Sequence, residues 1–137
     1  MRLARLGSLH LIALCVVVAL VGCGSDNSGP SNPAPPAGTY SLTSAQNPPN
    51  PALTPPAVTG QLVLAATTYS VTIDVQGQDE VQDQGTYSIS GNSWTQISTA
   101  NPGVQSTGTY TYASATGVLT VDVTASGVRT ITVWQKQ

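Results

Sequence analysis

Residues 68–75 read Thr-Tyr-Ser-Val-Thr-Ile-Asp-Val. Tyr69, Val71, Ile73 and Val75 fall on one side of this stretch, and Ser70, Thr72 and Asp74 on the other. A period of two is that of a pleated strand with one buried and one wet face. The pattern extends in both directions. Upstream, Tyr40 and Leu42 alternate with Thr39, Ser41 and Thr43, and Leu62 and Leu64 stand two apart although Val63 breaks the polarity between them. Downstream, Tyr87 and Ile89 repeat it, as do Tyr110 and Tyr112, then Leu119, Val121 and Val123, then Ile131 and Val133. Thr, Val and Tyr dominate, residue types suited to a pleated, half-buried surface. No 3.6-residue period occurs after residue 22.

Turn-forming residues punctuate these runs at 77–83, Gly91-Asn92, Asn101-Pro102-Gly103, 113–117 and Ser126-Gly127. Residues 94–99 supply a further strand, in which Trp94 and Ile97 take opposite faces unless a bulge intervenes. Gly-Thr-Tyr recurs at 38–40, 85–87 and 108–110, opening a strand each time. The unequal spacing indicates hairpins of one kind rather than solenoid repeats. The one long connection, 44–58, holds five prolines, and Pro cannot join a central ladder. It is a lid or binding loop, or else a stiff surface excursion. The expected fold is therefore all-β: an eight-stranded antiparallel up-and-down barrel. An immunoglobulin-like sandwich is the alternative. It needs Greek-key crossovers, for which only the proline loop has the length.

The start of the chain reads as an address. Residues 1–10 hold Arg2, Arg5 and His10 with no acid, and Leu11 opens an unbroken apolar stretch to Leu20. These are the basic and hydrophobic regions of a secretory signal peptide over 1–22, short of the ~20 apolar residues that span a membrane. Leu20-Val21-Gly22-Cys23 follows at once and resembles the lipobox of bacterial lipoproteins. That resemblance implies cleavage before Cys23 and attachment of diacylglycerol to its thiol. Each buried methylene contributes ~0.8 kcal/mol, and two or more acyl chains such as palmitate make attachment stable. Gly24 stands where inner-membrane retention usually has Asp, so the resemblance implies the outer membrane if the source is Gram-negative. Residues 24–37 contain no apolar side chain larger than Ala or Pro and read as a disordered tether. The expected organisation is a signal helix (1–22), a lipidated tether (23–37) and a barrel domain (38–137).

The barrel region also resembles the small lipocalin-like domains of bacterial lipoproteins. It shares a Gly-Thr-Tyr first strand, a proline-bearing first loop and repeated Thr-rich hairpins. Lipocalins carry Gly-x-Trp in the first strand, with an Arg of the last strand packed on the ring. Gly38-Thr39-Tyr40 holds that place with Tyr for Trp, and Arg129 opens the last strand. The resemblance thus implies an Arg129–Tyr40 closure of one barrel end, a favourable cation–π geometry. The Thr-Asp-Tyr expected between strands six and seven is absent; Tyr112-Ala113-Ser114 stands there.

Composition narrows function further. Of the 137 residues only 7% are charged, against roughly 25% in an ordinary domain. The net charge of −2 gives no basic nucleic-acid footprint. Removal of 1–22 discards the one His and one of the two Cys, and leaves six acids facing only Arg129 and Lys136. Without His, a nucleophilic Ser lacks its usual activating base, so no catalytic residue, cofactor or metal is expected. Asp74 and Asp122 fall on outward faces of separate strands and should diverge. Asp79, Glu80 and Asp83 cluster in the turn after the third strand, either as a solvated acidic turn or as oxygen ligands for Ca²⁺; their spacing matches no EF-hand. Trp94 and Trp134 are core or rim residues, or a stacking surface for rings.

An eight-stranded barrel is filled by its own side chains or holds one small ligand. The expected interior is mostly filled, with a narrow apolar pocket under the proline loop contacted by Tyr40, Leu53 and Trp94. Two functions follow from this. One is a non-catalytic cell-envelope lipoprotein that binds a small apolar ligand. The other is an interaction module with a filled barrel, contacting another envelope protein through its Thr-rich face or an open strand edge.

Overall fold

A computed structural model describes residues 32–137. The expected signal peptide, Cys23 and the first part of the expected tether lie outside the described residues. Eight strands follow in order: β1 (Gly38–Gln46), β2 (Val58–Leu64), β3 (Thr68–Val75), β4 (Val81–Ser90), β5 (Ser93–Ser98), β6 (Gln105–Ala113), β7 (Val118–Ala125) and β8 (Val128–Lys136). Each pairs antiparallel with the next, and β8 returns to pair with β1, closing the barrel. Sandwich crossovers are therefore absent from the described sheet. Closure also removes the open edge on which one functional reading relied, because every strand has two partners.

The two ends of the barrel differ. One carries the start of β1, the turns β2–β3, β4–β5 and β6–β7, and the end of β8. The other carries the proline loop between β1 and β2, and the turns β3–β4, β5–β6 and β7–β8. Residues 32–37 belong to the expected tether, yet they are held across the first end. The Asn32 amide donates to Asn92 Oδ1 (3.1 Å), and the Tyr110 hydroxyl donates to the Asn32 carbonyl (3.0 Å). The Tyr40 hydroxyl donates to the Pro36 carbonyl at 2.6 Å, and Pro35 is buried.

The alternation read from the sequence sorts side chains as expected. Tyr40, Leu42, Leu62, Leu64, Tyr69, Tyr110, Leu119 and Val121 are buried inside. In β5 no bulge forms: Trp94 and Ser98 point in, and Ile97 stays 48% exposed. The ladder is interrupted instead in β1, between Leu42 and Ser44. There the Thr43 hydroxyl donates to the Val133 carbonyl (3.0 Å).

At two of its three places the recurring Gly-Thr-Tyr has a steric cause. Gly85 faces Tyr69 in register, and Gly108 faces Trp94. A Cβ on Gly108 would sit 1.9 Å from the Asp122 carbonyl oxygen, and one on Gly85 equally close to that of Ile97. Inward glycines let the strands approach and bend, and a large aromatic opposite each fills the space a side chain would have taken. Two residues after each glycine, Tyr87 and Tyr110 return to the inner face. Tyr87 stacks on Trp94 at 4.8 Å between centroids, and Trp94 meets Tyr110 at 5.9 Å.

Gly108→Ala should cost about 1–3 kcal/mol, the range for overpacking a tight site, and lower the melting temperature. A thermal melt followed by near-ultraviolet circular dichroism checks this; an unchanged melt would contradict the close approach of β6 and β7.

Candidate functional site

Aromatic side chains fill the barrel unevenly. Tyr40, Tyr87, Trp94, Tyr110 and Tyr112 gather in the half covered by residues 32–37. The other half is lined by smaller groups, among them Val71, Ile73, Val121, Val123, Ala125 and Thr130. This mismatch leaves an internal cavity of about 200 Å³, floored by Trp94, Tyr69 and Trp134. Ile73, Val81, Thr130 and Thr132 also line a wider space of about 620 Å³ beneath the proline loop, against Leu53 and Pro51. The lumen thus opens at the proline-loop end. Leu53 is placed there by an isolated bridge to Ala45, with backbone bonds of 3.0 and 2.8 Å.

Several polar groups in the lumen are paired. Trp94 Nε1 donates to Gln96 Oε1 (3.0 Å), and Trp134 Nε1 to Thr132 Oγ1 (2.8 Å). The Tyr69 hydroxyl donates to Asp83 Oδ2 at 2.6 Å. Asp83 Oδ1 accepts from the Ser98 hydroxyl (2.5 Å) and the Gln84 amide (2.9 Å), while Ser98 Oγ accepts from the Asn101 amide (2.8 Å). Among the described residues no buried side-chain nitrogen or oxygen lacks a partner. Burial pushes the Tyr69 hydroxyl far above its ordinary value. The Asp83 bond and charge add to this, while a bond from Gln96 opposes it.

Asp83 departs from the expected acidic turn with Asp79 and Glu80. β4 begins at Val81 and carries Asp83 on its inner face, in line with Gly85, Tyr87 and Ile89. The signal was present: Val81, Asp83, Gly85, Tyr87 and Ile89 keep one period of two. Acidic neighbours and Gly77 masked it as a turn. Gln96, Ser106 and Thr132 went unnoticed for a related reason, since polar residues at inward register positions look like wet-face residues. Among the described residues no three His, Cys, Asp or Glu side chains gather to hold a metal ion.

The three expected ligand contacts separate. Trp94 lines the cavity, Leu53 lines the mouth, and Tyr40 lies fully buried at the opposite end. The Arg129–Tyr40 closure does not form. Because β8 runs antiparallel to β1, Arg129 at its start lies at the open end, whereas Tyr40 pairs in register with Lys136. Lys136 Nζ is 5.8 Å from the Tyr40 ring centroid. Arg129 instead makes a bidentate pair with Asp122 on the outer face, at 2.9 and 2.6 Å. Through that bond it holds the Asp122 carboxyl below the usual range.

No protein-family model and no curated protein matches the chain. Among solved structures, it is similar to one described as a REP1-NXSQ fatty acid transporter, with 12% identity and a TM-score of 0.41, covering 74% of this chain and 95% of that one. A second similar structure is a fluorescent protein, the UnaG N57A mutant, with 14% identity, a TM-score of 0.38 and the same coverage. The fold class, a closed eight-stranded antiparallel up-and-down barrel, rests on the strand topology described above.

Burial pushes the Tyr40 hydroxyl up to about 12, with Tyr112 and Tyr87 adding to the shift. Its folded value exceeds the unfolded one, so its contribution to stability is complete below pH 10 and is lost as pH rises through 10 to about 12. Urea midpoints should fall across that window. Tyr40→Phe should be less stable by about 1 kcal/mol at neutral pH, having lost the bond to Pro36, and its midpoint should fall less steeply in alkali. Parallel slopes for the two proteins would contradict the burial of this hydroxyl.

Proposed function

We propose that the protein is a non-catalytic binding barrel of the cell envelope that takes a small apolar ligand into its lumen beneath the proline loop. The observation that carries this reading is the internal cavity floored by Trp94, Tyr69 and Trp134 and continuous with the mouth under Leu53. A core that served stability alone would be close-packed, with few voids larger than a water molecule. The alternative of a filled barrel used only as an interaction module leaves this space without a role. The cavity lies below the 300–1,000 Å³ common for drug-sized ligands, so the ligand is small or leaves part of itself in the mouth.

Anchoring rests on Leu20-Val21-Gly22-Cys23 after the apolar run. The described chain reaches the barrel at its covered end, where Asn32 bonds to Asn92 and Tyr110. A lipid on Cys23 would therefore draw the covered end toward the bilayer and leave the mouth facing the aqueous space.

Val123 lines the cavity and is only partly buried, so Val123→Phe should fill the lumen without rebuilding the sheet. The test is quenching of tryptophan fluorescence in the full chain by 2-phenylethanol, a small neutral probe. Binding should weaken at least tenfold in the variant, while the melting temperature stays within a few degrees. Undiminished quenching would place the binding outside the lumen.

Cys23→Ser should move the protein from the membrane to the soluble fraction after cell fractionation. A processed Cys23→Ser protein that stays with the membrane would sink the lipid anchor.

A further inference from the structure

From the charge inside the lumen we infer the class of ligand: a small apolar molecule bearing one protonated amine, its ammonium set against Asp83. The inference rests on the binding reading above and adds to it the polarity of the ligand head.

Asp83 is the acid that lines the cavity, and the described residues provide it with no cation. Arg129 is engaged by Asp122 on the outer face, and Lys136 lies beside Tyr40 at the covered end. Three neutral donors reach the carboxylate: Tyr69 and Ser98 through hydroxyls, and Gln84 through its backbone N–H. Two of these fall on Oδ1. Oδ2 accepts only from Tyr69, and a carboxylate oxygen has lone pairs for two donors. One acceptor position thus remains on a partly buried acid in a cavity otherwise lined mostly by apolar side chains. A cation entering an apolar cavity is stabilised where a carboxylate accompanies it there. An ammonium facing Asp83 meets that partner and fills the open acceptor position together. Its apolar body would lie along Trp94, Val71 and Val121, the aromatic and aliphatic wall of the same cavity.

The approach to the site has the same sign. Asp74, Asp79 and Glu80 are exposed on the β3 and β3–β4 side of the open end. Arg129, also at that end, is neutralised by Asp122, and Lys136 stands at the opposite end. A mouth of one sign raises the local concentration of oppositely charged ligand and speeds its entry. A carboxylate-headed apolar molecule meets repulsion at the mouth and again at Asp83.

Three probes of matched size separate the possibilities: phenethylamine, 2-phenylethanol and 3-phenylpropanoate. Each is titrated into the full chain, and quenching of Trp94 and Trp134, the chain's two tryptophans, is followed. The amine should bind at least tenfold tighter than the alcohol, and the carboxylate weakest. Asp83→Asn should bring the amine to within about twofold of the alcohol while alcohol binding persists. Asp79→Asn, at the mouth and outside the lumen, should keep most of the amine preference. If Asp83→Asn does not fold, the ranking of the three probes on the unaltered protein decides alone. Equal binding of amine and alcohol, or tighter binding of the carboxylate, overturns the inference, makes Asp83 a structural partner of Tyr69 and Ser98, and leaves the binding barrel standing. Failure of all three probes to bind overturns the binding reading itself.

Discussion

The pairing of β8 with β1 is the constraint on which the rest of the molecule depends. Its register runs from Tyr40 opposite Lys136 to Gln46 opposite Ile131, with one irregularity between Leu42 and Ser44. Without it the eight strands would form an open, twisted sheet with two bare edges and one apolar face in water. With it, the inner face of every strand becomes the wall of one lumen, and every turn belongs to one of two ends. The same pairing decides which cation meets which ring. Antiparallel closure carries Lys136, not Arg129, to the Tyr40 end, and leaves Arg129 to Asp122.

Once closed, the barrel must be filled, and its filling is unequal. Inward glycines at 85 and 108 bring neighbouring backbones close and make room for Tyr69 and Trp94 opposite. The tyrosines that follow add to an aromatic layer in one half, which residues 32–37 cover. The other half receives Val, Ala and Thr, whose volumes do not meet across the lumen. The cavity is thus a consequence of where large and small side chains fall along the strands, and the binding proposal follows from that distribution. Hydrogen bonds join Asp83 to Tyr69 and Ser98, which holds these three in fixed geometry and makes the lumen a defined site rather than a loose void.

Much of this was legible in the chain. Strict alternation in 68–75 and its echoes define strands with an inner and an outer face, because a pleat turns successive side chains to opposite sides. Short turns between them leave hairpins as the simplest connection, and eight hairpin-linked strands close readily into a barrel. The proline loop between the first two strands was also within reach, since Pro is excluded from a central ladder. The fifth strand obeys the same rule without a bulge, with Ile97 left outside. Asp83 was the exception: its register position argued for the lumen, while its acidic neighbours argued for a turn.

The sequence by itself determined that the chain forms alternating strands, that hydroxyls and amides coat it, and that Cys23 follows a lipobox-like run. These are local properties, set by the order of a few adjacent residues. Only the tertiary structure decided which residues share an end, which charges meet and where space remains. Arg129 and Tyr40, Asp83 and Ser98, Trp94 and Gly108 are related through register and closure, which depend on all eight strands at once. The cavity is likewise a difference between the volume the closed barrel encloses and the volume its side chains occupy, and no single strand contains that difference.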